Sequence, residues 1–247
     1  MRAIPIISGA IVALLSAFPV YAQTPTEAWP ASSGHAPSGA DPEPQMVQSF
    51  GPSLSVGSFI GFKAGLSVHA FGRVENFAQG FPLKARFRLA QTSVEPGSAP
   101  EARKIFINDA TNGTPRESGS TWDLGLDGLY PMGDRTHLYG GFRYTRFTAN
   151  FKYVGGNEDF DVTSNHWGVA GGMEAEFPMS RNTSLLLSGG AEYFFSSRLT
   201  GHDTSYSPDG DDVNPRKEYT YTDADDAVDQ PVLRPVILLG VSYRLGG

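Results

Sequence analysis

Large apolar residues fall at every second position along much of this chain, with carboxylates, basic residues or glycines between them, as in Trp122-Asp123-Leu124-Gly125-Leu126-Asp127-Gly128-Leu129-Tyr130. A period of two is the signature of a β-strand whose two faces meet different surroundings. The apolar face recurs with no obvious partner helix to cover it. The pattern therefore calls for strands whose apolar side meets something other than a protein core.

The N-terminus supplies a compartment. Arg2 is a short positive region, Ala3 to Phe18 is mostly apolar, and Val20-Tyr21-Ala22 carries the small or tolerated residues that a signal peptidase reads. Residues 1–22 are expected to be a signal peptide cleaved after Ala22. About 18 apolar residues could also span a bilayer as a retained anchor, but Pro5, Pro19 and the processing site favour removal. Residues 23–50 are rich in Pro, Ser, Ala and Gly, with Trp29 the only large apolar residue before the alternating pattern starts, and read as a disordered linker. Residues 51–247 form the folded domain.

Composition excludes several classes. No stretch beyond the signal is long and apolar enough for a transmembrane helix. The chain has no cysteine, which rules out disulfides, thiolate metal sites and a lipidated N-terminal cysteine. The formal charge of −7 becomes −8 once Arg2 leaves with the signal, which disfavours nucleic acid as a partner.

Alternation and turn signals mark eight strands: 53–61, 65–76, 83–92, 120–130, 136–151, 164–177, 183–199 and 232–245. Several exceed the 9–11 or so residues that a tilted strand needs to cross the hydrocarbon, so the longer ones should project beyond it. Links after strands two, four and six are tight, at 77–82, 131–135 and 178–182. Those after strands three, five and seven are long and polar, at 93–119, 154–163 and 200–231. Such asymmetry is how outer-membrane barrels are built, with short periplasmic turns and long extracellular loops. The link at 62–64 breaks the pattern by being short.

Two hairpins look like copies of each other. Tyr130-Pro131-Met132 with Thr136 and Leu138 matches Phe177-Pro178-Met179 with Thr183 and Leu185 at constant offset, and Asp127 matches Glu174. An aromatic at a membrane interface followed by a proline that stops the ladder accounts for both.

With the apolar phase taken as outward, Leu124, Leu126, Leu138, Phe142, Val169, Met173, Leu185, Leu187, Ile237, Leu239 and Val241 form a lipid-facing band. Trp122, Tyr130, Tyr144, Trp167, Phe177, Tyr193 and Tyr243 lie near its edges. The inward set is then Arg73, Lys84, Arg86, Arg88, Arg143 and Arg244 facing Glu75, Asp123, Asp127, Glu174, Glu176 and Glu192. An eight-stranded barrel has room inside only for side chains, so these twelve residues are expected to form a structural, salt-bridged network that plugs the lumen.

The chain resembles the small outer-membrane β-barrel families, the opacity-protein and OmpX/OmpA-like type. The resemblance covers residues 51 to 245. It rests on the signal peptide, the aromatic-Pro-Met hairpins, the pairs Gly140-Gly141, Gly171-Gly172 and Gly189-Gly190, and the closing segment Val236-Ile237-Leu238-Leu239-Gly240-Val241-Ser242-Tyr243-Arg244-Leu245. That segment looks like the terminal signal read by the barrel-assembly machinery, although such signals usually end in an aromatic. The resemblance implies an all-β, eight-stranded antiparallel up-and-down transmembrane barrel in a Gram-negative outer membrane. It implies a structural or surface-interaction role, with contacts to membrane lipid and lipopolysaccharide, to the assembly machinery, and through the loops to a host or cell-wall ligand. A narrow channel for small solutes or ions is the alternative, and a lipid A-modifying enzyme a third reading.

No catalytic, cofactor or metal residue is assigned. Ser67-Val68-His69 and Ser164-Asn165-His166 bring a hydroxyl near an imidazole, but their spacing does not reproduce the deacylase motif, and they read as ordinary rim or lumen histidines. The last long loop carries Asp203, Asp209, Asp211, Asp212, Glu218, Asp223, Asp225, Asp226 and Asp229 against Arg216 and Lys217. EF-hand spacing is missing, so it reads as a solvated, self-repelling surface loop rather than a calcium site.

Overall fold

A computed structural model describes residues 52–76, 81–107 and 112–245. The expected signal peptide and linker lie outside these residues. Eight strands form the barrel wall: β1 (Ser53–Lys63), β2 (Leu66–Glu75), β3 (Lys84–Val94), β4 (Thr114–Pro131), β5 (Thr136–Val154), β6 (Asp159–Pro178), β7 (Thr183–Phe194) and, after two strands of two residues each, β8 (Leu199–Thr200) and β9 (Ser205–Tyr206), the closing strand β10 (Leu233–Leu245). Each wall strand is antiparallel to its sequence neighbour in the wall, and β10 pairs with both β7 and β1, so the up-and-down sheet closes. Closure removes the exposed edges that an open sheet would present.

The alternation sorts as the strand period requires. Leu124, Leu126, Phe142, Ile237, Leu239 and Val241 point outward and are exposed, while Arg86, Asp127, Arg143, Glu174 and Glu192 are buried inside. β1 to β3 add Leu54, Val56, Ile60, Val68, Phe87 and Leu89 to the outer band. Leu185 and Leu187 are half-buried members of the same face.

The paired hairpins share their hydrogen bonding as well as their sequence. Met132 N–H donates to the Thr136 carbonyl at 2.8 Å and Met179 N–H to the Thr183 carbonyl at 2.9 Å. The carbonyl before each following strand also accepts from a neighbouring strand: Arg135 from Glu176 N–H at 2.7 Å, and Asn182 from Arg244 N–H at 2.8 Å. At the other end the β1–β2 link is the tight Ala64-Gly65, with Ala64 at φ 52° and Lys63 N–H donating to the Gly65 carbonyl at 2.8 Å. A side chain at position 65 would collide with the Ser93 carbonyl, so glycine is required there.

β4, β5 and β6 run for 18, 19 and 20 residues and project beyond the rest of the wall. Their register shows where they leave the apolar band. On β5, Leu138, Phe142 and Tyr144 face outward. Beyond them the outward positions become Arg146, Thr148, Asn150 and Lys152, while the inward ones become Phe147, Ala149, Phe151 and Tyr153. β6 makes the same exchange: Trp167 and Val169 face outward below it, whereas above it Asp159 and Asp161 are outward and Phe160 and Val162 inward. The exchange falls at the cross-strand pair Tyr144–Trp167, whose rings meet edge to face at 5.1 Å. An aromatic pair at that level is a girdle position.

The long links differ from the sequence expectation. The stretch 93–119 contains α1 (Ala99–Phe106), and 200–231, expected to be a solvated acidic loop, contains α2 (Tyr221–Val228) with Tyr206 buried beside it. The seventh wall strand stops at Phe194, and Leu199 belongs to β8, which pairs with β6 at Thr163. The reason is burial. Ala99, Ala102, Ile105 and Phe106 of α1 and Ala224, Ala227 and Val228 of α2 form one apolar core with the inward residues of the β5 and β6 projections, Leu199 and Tyr206. Ser98 N–H donates to the Ala227 carbonyl at 2.8 Å, Ala99 N–H to Glu117 Oε1 at 2.7 Å, and the Arg216 guanidinium reaches the Ile107 carbonyl. The links thus make a folded cap on the inner face of the projecting wall, over the long-loop mouth, with the acidic residues left on its surface.

The N-terminus of α2 is held by a capping box. Thr220 N–H and Oγ1 both donate to Asp223 Oδ2 at 2.7 Å, and Asp223 N–H returns to Thr220 Oγ1 at 3.4 Å. These bonds from the Thr220 hydroxyl and amide hold the Asp223 carboxyl below its ordinary value. A lowered value in the folded state means that the contribution is present above the ordinary carboxylate range and is lost as pH falls through the lowered value. The protection factor of the Asp223 amide, its exchange rate relative to that of an unstructured chain at the same pH, is therefore expected to hold at neutral pH and to fall only in acid, whereas Thr220→Ala should lower it at both.

The phase exchange gives a second test. Leu239→Arg, in the middle of the outer band, is expected to cost about 2–4 kcal/mol by urea unfolding in phospholipid vesicles. Thr148→Arg, outward but above the Tyr144–Trp167 level, should change stability by less than about 1 kcal/mol.

The lumen as candidate functional site

Inward positions of adjoining strands bring charges together that lie far apart in sequence. Arg86 bonds Asp127 through Nε and Nη2, both at 3.0 Å, and also bonds Glu174. Arg143 places Nη1 2.6 Å from Asp127 and Nε 2.8 Å from Glu192, which also receives Arg88. Towards the turn end, Arg73 contacts Glu75 at 2.8 Å, Glu174 at 3.5 Å and Glu176 at 3.1 Å. Lys84 and Arg244 approach the same Glu75 at 3.5 and 3.8 Å. A single chain of ion pairs thus runs along the lumen and contains all twelve inward residues expected from the sequence.

Two members were missed, and one sits differently from expectation. Lys63, read as part of a link, is fully buried and reaches Asp123 at 3.1 Å and Glu192 at 2.6 Å. Arg234 is buried and reaches Asp123 at 3.4 Å. Both are in phase with inward residues: Lys63 with Phe59, two residues past the expected end of its strand at 61, and Arg234 with Val236 and Leu238, inside the expected strand 232–245, where its inward phase was overlooked. Arg244 is not enclosed: its side chain is 49% exposed at the rim, because β10 is ending there. The expected balance of six against six becomes eight basic side chains sharing six carboxylates, with Lys63 and Arg234 added.

The rest of the filling is apolar and aromatic. Phe59, Phe71, Leu186, Val236 and Leu238 form a buried cluster on the wall made by β1, β2, β7 and β10. The Arg86 guanidinium lies 5.7 Å from the Phe59 ring and 5.3 Å from that of Tyr139, so three sides of its charge meet π-faces or carboxylates. Room for the Tyr139 ring comes from the Gly-Gly pairs, since a Cβ at Gly172 or Gly190 would sit about 2.5 Å from its hydroxyl oxygen.

The Ser-x-His segments are also inside. Ser67 Oγ is 2.6 Å from His69 Nε2 and 3.0 Å from Thr92 Oγ1, and Ser164 Oγ is 2.6 Å from His166 Nε2, whose Nδ1 lies 2.9 Å from the Phe195 carbonyl. All four side chains are buried in the lumen. Each imidazole has a local hydrogen-bond partner, and neither pair faces lipid.

Glu192 is the hub, shared by Lys63, Arg88 and Arg143. Charges desolvated this completely gain little net energy from pairing, but stranding the partners is costly. Glu192→Gln is therefore expected to lower stability by about 3–5 kcal/mol in vesicle unfolding. Lys152→Gln, which breaks the exposed pair with Asp159, should cost less than about 1 kcal/mol.

No family model matches the chain, and no curated protein matches it in sequence. Solved structures do. A major outer membrane protein from Thermus thermophilus is 23% identical over 78% of this chain and 99% of its own, with a TM-score of 0.62. The attachment invasion locus protein Ail of Yersinia pestis, solved with the heparin analogue sucrose octasulfate, is 14% identical over 78% and 97%, with a TM-score of 0.41. Neisserial surface protein A is 10% identical over 78% and 96%, with a TM-score of 0.37. With its closed wall, outward apolar band and filled lumen, the chain has the fold of the small eight-stranded outer-membrane β-barrels.

Proposed function

We propose that this protein is an integral outer-membrane barrel of Gram-negative type with a structural or surface-interaction role, a closed lumen and no catalytic turnover. The observation that carries this reading is the occluded interior. The ion-pair chain fills the barrel between Arg244 at one rim and Arg234 near the other, and the cap core of α1, α2, β5 and β6 covers the long-loop mouth.

In this reading the signal is removed after Ala22, the short turns face the periplasm and the cap faces outward, following the usual placement of long loops. Membrane lipid and lipopolysaccharide meet the outer band, the barrel-assembly machinery inserts the chain, and a host or cell-wall ligand is met through the folded links. A cap with its own apolar core presents such a ligand with a preorganised surface, which lowers the ordering cost of binding. Burial of both Ser-x-His pairs inside the wall argues against a lipid A-modifying enzyme, since an acyl chain in the bilayer would have no path to either hydroxyl.

Refolded protein is expected to run as a compact band that shifts on boiling, and to give no steady conductance steps in planar bilayers. Reproducible steps would replace this reading with a narrow channel. Mass spectrometry of lipid A should be identical with and without the gene.

A further inference from the structure

We propose that the turn-end mouth of the barrel is a binding site for an oxyanion, the carboxylate or phosphate group of a ligand entering from the side of the short turns. The inference rests on the closed-barrel reading in one respect: with the cap over the other mouth, this is the end at which the lumen opens to solvent.

A pocket of about 240 Å³ lies there, large enough for such a group with its first waters. Its basic lining residues are Arg73, Lys84, Arg181 and Arg244, and its acidic ones are Asp134 and Glu176. The nearby carboxylates are already over-committed. Glu75 serves three cations, Arg73 at 2.8 Å, Lys84 at 3.5 Å and Arg244 at 3.8 Å, and Glu176 is held by Arg73 at 3.1 Å. Arg181 has no acidic partner within 4.0 Å among the described residues. The pocket lining itself thus carries four basic groups, among them the unpaired Arg181, against two acidic ones, and in a narrow entrance such an imbalance attracts a counter-charge.

Neutral polar groups complete the wall of the pocket. His137 lines this pocket, is only 4% exposed, and its Nδ1 is buried with no hydrogen-bond partner among the described residues. Its Nδ1 has almost no accessible surface, so the ring serves here as part of the pocket wall and as a reporter on what the pocket holds. Ser184 and Ser242 add neutral hydroxyls on the opposite wall. The fork of Arg244, half-exposed at the rim, has the geometry to grip a carboxylate or phosphate with two parallel bonds.

The test uses the full chain refolded in phosphatidylcholine nanodiscs, titrated with inorganic phosphate and separately with acetate while the His137 ring and arginine side-chain resonances are followed by NMR. Saturable shifts at His137, Arg181 and Arg244 are expected, with affinity at least about tenfold weaker in Arg181→Gln/Arg244→Gln. Both substitutions lie at the rim, where Arg244 is the half-exposed end of the ion-pair chain and pairs, among the described residues, only with Glu75 at 3.8 Å, and heat-modifiable mobility checks that the barrel still forms. If it does not form even in the parent chain, the barrel reading itself has failed. Lys104→Gln/Lys152→Gln, which removes the same charge from exposed positions on the cap side, should bind as the parent does. The proposal is overturned if a folded barrel shows no saturable shift, or if the cap-side variant weakens binding as much as the rim variant. Adding phosphatidylglycerol to the discs separates the sources: competition with phosphate assigns the site to a lipid headgroup, and unchanged affinity assigns it to a soluble anion.

Discussion

The structure depends on one constraint: guanidinium and carboxylate groups cannot remain desolvated in a narrow lumen unless each finds an opposite charge. With lipid-facing positions occupied by apolar side chains, the wall can place its ionisable groups only inside. There, six carboxylates serve eight basic groups by being shared. Glu192 holds three cations, while Asp127 and Glu174 hold two each. Such sharing ties β1, β2, β3, β4, β5, β6 and β7 together across the lumen rather than only through neighbouring ladders. It sets side-chain positions along the barrel axis, because shifting one strand by two residues would separate several pairs at once.

The same physics runs in reverse beyond the bilayer. Once β4, β5 and β6 pass the Tyr144–Trp167 level, their outer face meets water and their inner face no longer needs to be ionic. Phe147, Phe151, Phe160 and Val162 then turn inward, and the links that carry α1 and α2 fold onto them. The barrel is consequently lopsided. A tall wall with a roofed interior stands over one side, and the two-residue link between β1 and β2 leaves the other side low.

Two different ends follow from this asymmetry. The capped end presents a surface folded over its own apolar core, with acidic residues on its exterior. The turn end offers a small polar vestibule rich in arginine, continuous with the ion-pair chain. A solute crossing the barrel would have to displace both the cap core and Arg86, which is held between Asp127, Glu174 and three aromatic rings.

Alternation, a property of neighbouring residues, made the strands, the two faces and the copied hairpins legible in the amino-acid sequence, and the lengths of the links told turns from loops. The twelve inward charges could be read the same way, but Lys63 fell just beyond the assumed strand end, where the pattern gives way to turn residues, and Arg234 sits beside Pro235 at the very start of the last strand, where the alternation is weakest. Which carboxylate serves which cation was not legible, because partners such as Arg86 and Glu174 are separated by 88 residues and meet only when the sheet closes. The helices of the cap were hidden for a related reason: α1 and α2 are short and polar on average, and become stable by covering an apolar face that other segments supply. The sequence by itself determined a closed β-wall with unlike faces, since a period of two is local. The sharing of charge, the roof and the vestibule were decided only by tertiary structure, since each is a contact between parts of the chain that carry no mark of one another.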